Sequence, residues 1–139
     1  MNAVDTNVYV YALEADDAIK QAKAIKLFDH LVLAPRDTIL LWQVASELLS
    51  QLRKWESAGK ITLADARLNS DRFTAMFALR VPSERVFGIS FELRARFSLS
   101  HWDSMVLAAC KDAGVETLYS EDMDAATDYD GIRIVNPFA

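Results

Sequence analysis

The sequence predicts an α/β fold, a three-layer sandwich in which a mainly parallel central sheet lies between helices. Two observations carry that expectation. Short β-like runs alternate with helical patterns along the whole chain, the signature of parallel strands joined by crossover helices. The composition is also that of a packed domain, with 52% hydrophobic and 25% charged residues among 139, and only 4 Gly and 3 Pro. Those values exclude a disordered, collagen-like or disulfide-scaffold chain. The length suits one domain, residues 1–139, able to bury a core without metals or bridges.

The elements follow in order. Ala3-Val4 is a first strand running straight into Asp5-Thr6-Asn7. Residues 17–31 form a helix with Ala18, Ala22, Ile25 and Phe28 on one face. Thr38-Ile39-Leu40-Leu41 is β-branched and apolar enough for a buried strand. From Gln43 the period lengthens, and Val44, Ala45, Leu48, Leu49, Leu52 and Trp55 make one helical stripe that stops at Gly59. Thr62 and Asp65 form a capping box opening a helix through Phe73 and Phe77. Another helix follows Pro82-Ser83 and reaches Phe97. Ser100-His101-Trp102-Asp103 opens a helix that is apolar nearly all round, hence buried, and ends at Gly114. Residues 115–119 and 132–135 read as strands.

Other signals bound the setting. Cys110 is the single cysteine and sits in an apolar run, so it reads as a small buried hydrophobe, and no intramolecular disulfide is possible. The start lacks a basic and apolar leader, and no apolar run approaches the ~18–20 residues that span a bilayer. A soluble, cytoplasmic protein is expected. No Walker loop, G-x-G-x-x-G, C-x-x-C or G-x-S-x-G occurs, which leaves no nucleotide cofactor and no serine-hydrolase elbow. Trp42, Trp55 and Trp102 read as core or interface residues, with base stacking the lesser alternative.

Four acids stand at positions where a carboxylate is unusual. Asp5 ends the first strand, and ligands of open α/β sheets bind at the carboxyl ends of strands; alternatively it caps the helix that follows. Glu47 lies on the margin of its helix's buried stripe, or on a solvated flank. Asp103 is placed to be the reciprocal partner of Ser100 in a capping box, at the head of a buried helix. Asp122 follows the strand ending at Tyr119, within an acidic stretch (Glu121, Asp124, Asp128, Asp130) that otherwise reads as a solvated loop. Together these acids cannot all stay ionised without a positive partner. Oxygen donors with no Cys or His cluster select Mg²⁺ or Mn²⁺ over Zn²⁺. The net charge of −5 then loses its force against a nucleic-acid substrate. With these four set aside, fifteen basic residues face sixteen acidic ones, a balance of −1 that metal ions would offset.

At this point the chain resembles the PIN-domain ribonucleases, specifically the VapC-type toxins of type II toxin–antitoxin pairs. The resemblance rests on five blocks in order: Asp5-Thr6-Asn7-Val8, Gln43-Val44 leading to Glu47, Leu99-Ser100-His101-Trp102-Asp103, Leu118-Tyr119-Ser120-Glu121-Asp122-Met123, and Val135-Asn136-Pro137-Phe138. It implies that Asp5, Glu47, Asp103 and Asp122 bind Mg²⁺ or Mn²⁺ and activate a water against an RNA phosphodiester. It further implies a helper hydroxyl at Thr6 and a Ser120 that holds the last acid. Finally, it implies a homodimer and a small antitoxin whose tail sets an arginine among the acids. Two features depart from the family: Trp42 stands where a small polar residue is more usual, and only four residues precede Asp5. Two other readings remain open. A phosphotransfer domain fits poorly, since Asn7 stands where a phosphatase needs its second aspartate and Lys111 lies inside a helix. A catalytically silent interaction module would leave all four acids unexplained. Lys20, Lys23, Lys26 and Arg53-Lys54 are candidates for RNA phosphates or acidic partner groups, or simply solvated helix faces.

Overall fold

A central strand, β1 (Asn2–Val4), organises the computed structural model, which describes residues 1–14 and 16–139. β1 pairs in parallel with β2 (Thr38–Leu41) on one side and β4 (Thr117–Tyr119) on the other. Outside β2 lies β3 (Ala78–Arg80), and outside β4 lie β6 (Ile132–Val135) and then β5 (Asp128–Tyr129), giving the order β3-β2-β1-β4-β6-β5. Among the described residues only the β5–β6 pairing is antiparallel.

Successive residues of a strand point to opposite faces. Ala3 and Val4 are both buried, as are all four residues of β2, so both faces of the sheet are covered. That is the sandwich expected from the sequence. Helices α1 (Thr6–Leu13), α2 (Ala18–Leu31), α3 (Trp42–Ser57), α4 (Leu63–Met76), α5 (Arg85–Arg96) and α6 (His101–Ala113) flank the sheet. Tyr9 of α1 packs its ring 4.7 Å from Phe28 and 5.0 Å from Phe73, joining α1, α2 and α4. α5 and α6 are joined by a buried 3.0 Å hydrogen bond between the hydroxyls of Ser90 and Ser104.

Local chemistry sets the boundaries. Thr62 and Asp65 exchange both capping-box bonds at 3.0 and 3.1 Å. α6 ends at Gly114 with φ 75°, a left-handed cap that only glycine adopts without strain.

Several expectations are corrected. The buried side of α2 carries Ala24, Phe28 and Leu31, while Ala18, Ala22 and Ile25 face solvent; the packing stripe is set one step round the helix, at 24-28-31, by the aromatic cluster beneath it. α6 is buried from Ser104 to Cys110 except at Met105, but its first turn is open, and Trp102 is 65% exposed. Trp42 is 51% exposed and Trp55 half-buried, so the tryptophans do not belong to the core. The edge strands β3 and β5 are additional. All three residues of β3 are exposed, and the strand lacks an apolar pattern. β5 is a two-residue strand turned back by Asp130 (φ 56°) and Gly131 (φ 92°), both left-handed as an Asp-Gly hairpin turn requires. Cys110 is fully buried, as expected.

Candidate metal centre

The chain builds β1, β2 and β3 outward in one direction and then returns to place β4 on the other side of β1. The crevice at the carboxyl ends of β1 and β4 is therefore the topological switch point, where open α/β sheets bind ligands. Asp5 and Ser120 emerge there side by side, because Val4 and Tyr119 are register partners and the Asp5 N–H donates to the Tyr119 carbonyl at 2.9 Å.

Asp5 is both N-cap and candidate ligand. Its Oδ1 accepts the Thr6 N–H at 2.8 Å, and its Oδ2 accepts the Ser120 hydroxyl at 2.9 Å. The capping alternative and the site are thus compatible, since a helix N-terminus favours an anion. Asp5 is only 8% exposed, and burial raises its carboxyl above the usual range. The Ser120 and Thr6 bonds oppose that rise, while the charges of Asp122 and Glu47 add to it. The Cys110 thiol on α6 is pushed up by burial and by the Asp5 charge.

Ser120 is fully buried and has one proton. That proton goes to Asp5, so the hydroxyl can only accept from the Asp122 N–H, 3.1 Å away. Ser120 thus holds Asp122 through its backbone N–H and at the same time donates to Asp5. Asp122 Oδ2 instead accepts from the Asn7 side-chain amide at 3.0 Å. The Asp122 carboxyl is raised by partial burial and by the charges of Glu121 and Asp103, against the opposing pull of Asn7 and Lys20.

Glu47 is exposed but held at both oxygens. Thr6 Oγ1 donates to Oε2 at 2.7 Å, and Gln43 Nε2, one turn earlier on α3, donates to Oε1 at 3.0 Å. Gln43 Nε2 also reaches the Trp102 carbonyl at 3.5 Å, tying α3 to the head of α6. Asp103 is half-buried in the first turn of α6, where its N–H donates to Ser100 Oγ at 3.2 Å. Among the described residues the reciprocal bond from the Ser100 backbone is absent, which corrects the capping-box expectation and leaves the Asp103 carboxylate directed electrostatically against Asp122.

Two supporting residues escaped the sequence reading, and a third, Lys20, stood there only as a candidate for RNA phosphates or acidic partner groups. Asn7 and Gln43 lie inside the motifs but had no assigned part. Lys20 donates to Glu121 Oε2 at 2.8 Å and to the Tyr11 hydroxyl at 3.3 Å, with Phe138 packed nearby, so it is engaged within the fold. The i,i+4 spacing of Gln43 and Glu47 was the available signal for one of these. Nothing local announces the Asn7–Asp122 and Lys20–Glu121 contacts, which join residues more than 100 positions apart.

The donor set is oxygen-only. Among the described residues no three acidic, His or Cys side chains are drawn close enough to share one ion as they stand. Mg²⁺ commonly takes only one or two carboxylates and keeps several waters, so buried, hydrogen-bonded Asp5 with Asp122, Asp103 or Glu47 across the crevice fits such an ion. Oxygen donors of this kind, with like charges acting on Asp5 and Asp122, favour a hard cation.

By sequence, a family model described as the PIN domain matches residues 3–130. No curated protein sequence matches the chain. Several solved structures share its fold. The FitAcB structure from Neisseria gonorrhoeae aligns at TM-score 0.74 with 19% identity, covering 99% of both chains. A toxin–antitoxin complex from Klebsiella pneumoniae aligns at 0.67 with 16% identity, over 99% of this chain and 98% of that one. VapC20 of Mycobacterium tuberculosis, described as a Sarcin-Ricin loop cleaving toxin, aligns at 0.65 with 17% identity, over 96% and 99%. With the family model spanning both strands that flank the crevice and all four acids within it, this chain belongs to the PIN domain family.

Proposed function

We propose that residues 1–139 form one nuclease domain, a Mg²⁺- or Mn²⁺-dependent endoribonuclease that is the toxin of a toxin–antitoxin pair. The observation that carries this reading is the wiring of Asp5, Glu47 and Asp122 through Thr6, Ser120 and Asn7 at the switch point. Structural ion pairs would have brought cations to these carboxylates; here hydroxyls and the amides of Asn7 and Gln43 orient them, leaving negative charge for a metal. Asp5, Asp122, Asp103 and Glu47 would hold it, with Thr6 and Ser120 fixing the ligands' orientation as outer partners do at metal sites. A bound Mg²⁺ supplies a more acidic water and charge for the phosphate oxygens. Asp5 or Asp103 would orient the attacking water.

The partners follow from the same reading. The Klebsiella relative is a toxin–antitoxin complex, and we infer a small antitoxin here. An antitoxin arginine among the acids would occupy the metal's place. Exposed Val81, Phe87 and Phe91, at 65%, 62% and 81%, run from β3 into α5 and support a homodimer face. Among the described residues no helix is long and apolar enough to cross a membrane, and RNA as substrate argues for a cytoplasmic site of action. The test is incubation with total cellular RNA with and without Mg²⁺, followed by mapping of cleaved ends. Undiminished cleavage in excess EDTA would refute the metal mechanism.

A further inference from the structure

The face of α3 that carries Glu47 does not end at the acids. An open cleft of about 760 Å³ is lined by Trp42, Trp102, Ser46, Glu47, Ser50 and Lys54. A second depression of about 640 Å³ shares Ser46, Ser50 and Lys54 and adds Arg53, so the two form one track along α3. From Trp42 to Lys54 the helix advances roughly 18 Å, at 1.5 Å per residue. Both tryptophans are exposed by half or more, unusual for a residue that is highly buried on average. The Trp102 indole is also held, with the His101 ring 4.7 Å away and edge-on at 74°. Gln43 links α3 to α6 by donating to Glu47 and to the Trp102 carbonyl.

Along α3 the track runs from aromatic (Trp42) through hydroxyl (Ser46), acid (Glu47) and hydroxyl (Ser50) to base (Arg53, Lys54). Aromatic faces beside a basic row are how single-stranded nucleic acid is held, bases stacking and phosphates following the cations. A duplex hides its base faces and fits this surface poorly. We propose that the Trp42–Trp102 cleft binds the single-stranded RNA next to the scissile bond, its bases stacked on the two indoles and its backbone led to Lys54 and Arg53. The proposal rests on the endoribonuclease reading. Trp42, which departs from the family's usual small residue, would give this chain a stacking platform of its own.

The test uses Asp5→Asn protein, cleavage-dead under that reading, and a fluorescein-labelled single-stranded RNA 20-mer of mixed sequence in Mg²⁺, read by anisotropy. Added Trp42→Leu or Trp102→Leu should each weaken binding by about 5- to 150-fold, the range for one lost base–aromatic stack. Trp→Phe at either place should restore most of the affinity, because a ring remains and the apolar volume of Leu does not substitute for it. Lys54→Ala should flatten the slope of log K against log salt by about 0.7, and the same RNA annealed as a duplex should bind far less. Unchanged binding by the Leu variants overturns the proposal. So does a loss of dimer in sedimentation with RNA binding intact, which would give the cleft to a second copy of the chain. Absence of binding by the Asp5→Asn parent overturns it too, and wild-type cleavage of total RNA, scored in parallel, tells whether the nuclease reading falls with it.

Discussion

Ser120→Ala isolates one buried hydroxyl that serves two candidate ligands. In the wild type that hydroxyl donates to Asp5 Oδ2 at 2.9 Å and accepts the Asp122 N–H at 3.1 Å, with no exposure to solvent. A hydrogen bond to a charged group contributes about 1.5–3 kcal/mol, so metal-free protein at pH 7 should lose about that much stability. The pH dependence follows from the sign of the Asp5 shift. Its folded carboxyl is raised above the ordinary 3.8 by burial, so the folded state binds more protons through that window. The Asp5 contribution is therefore most favourable below about pH 3.8 and is lost as pH rises through the higher folded value. Removing the Ser120 donor raises the folded value further and widens the window. Toward pH 4 the raised carboxyl takes up more of its proton, and the cost should shrink toward that of a neutral hydrogen bond, about 0.5–1.5 kcal/mol. Urea unfolding in EDTA reads this directly. With a slope of about 1–3 kcal/mol/M, the pH 7 midpoint should fall by about 0.5–3 M. A penalty at pH 7 no larger than at pH 4 would refute the reasoning, because it would mean Ser120 does not serve an ionised Asp5.

Asp5→Asn removes a buried negative charge while keeping its shape, so in EDTA the variant should melt no lower than wild type, yet neither cleave RNA nor gain stability from Mg²⁺. Wild type in a hundredfold excess of Mg²⁺ over Kd should gain about 2.7 kcal/mol, seen as a concentration-dependent rise in Tm. Thr6→Val deletes the 2.7 Å bond to Glu47 with little change in volume and should lower metal affinity or cleavage by about 10- to 100-fold, measured by metal titration of initial rates. Asp130→Ala should leave the rate unchanged, because Asp130 is engaged with Lys111 and Arg96; a rate loss beyond any loss of folded protein would count against the assignment of the four acids.

The elements and their ends were written in local chemistry. Thr62-Asp65 announced a capping box, Gly114 a left-handed stop, and Thr38–Leu41 a strand buried on both faces. Asp130-Gly131 announced a hairpin turn just as clearly, but its strands were too short for an apolar pattern to stand out. β3 had no such mark, since an exposed edge strand selects few side chains. The face of α2 was misjudged because its apolar residues wrap round the helix, and only the Tyr9–Phe28–Phe73 cluster decides which of them packs.

The four acids were legible as oddities, each a carboxylate at a strand end, a helix head or a stripe margin. Their connections were not. Whether Ser120 gives its proton to Asp5 or to Asp122 depends on two loops whose separation in space no spacing encodes. The openness of Trp42 and Trp102 is likewise a property of how α3 meets α6, and an indole in an apolar stretch of sequence reads as core until that junction exists. Sequence alone determined the α/β class, the caps and turns, and the inventory of oxygen donors, because those follow from the period of side chains and from chemistry within a few residues. The tertiary structure alone decided that hydroxyls and amides rather than cations link Asp5, Glu47 and Asp122, because those contacts join residues 41 to 115 positions apart and exist only once α3 lies beside α1 and β4 against β1.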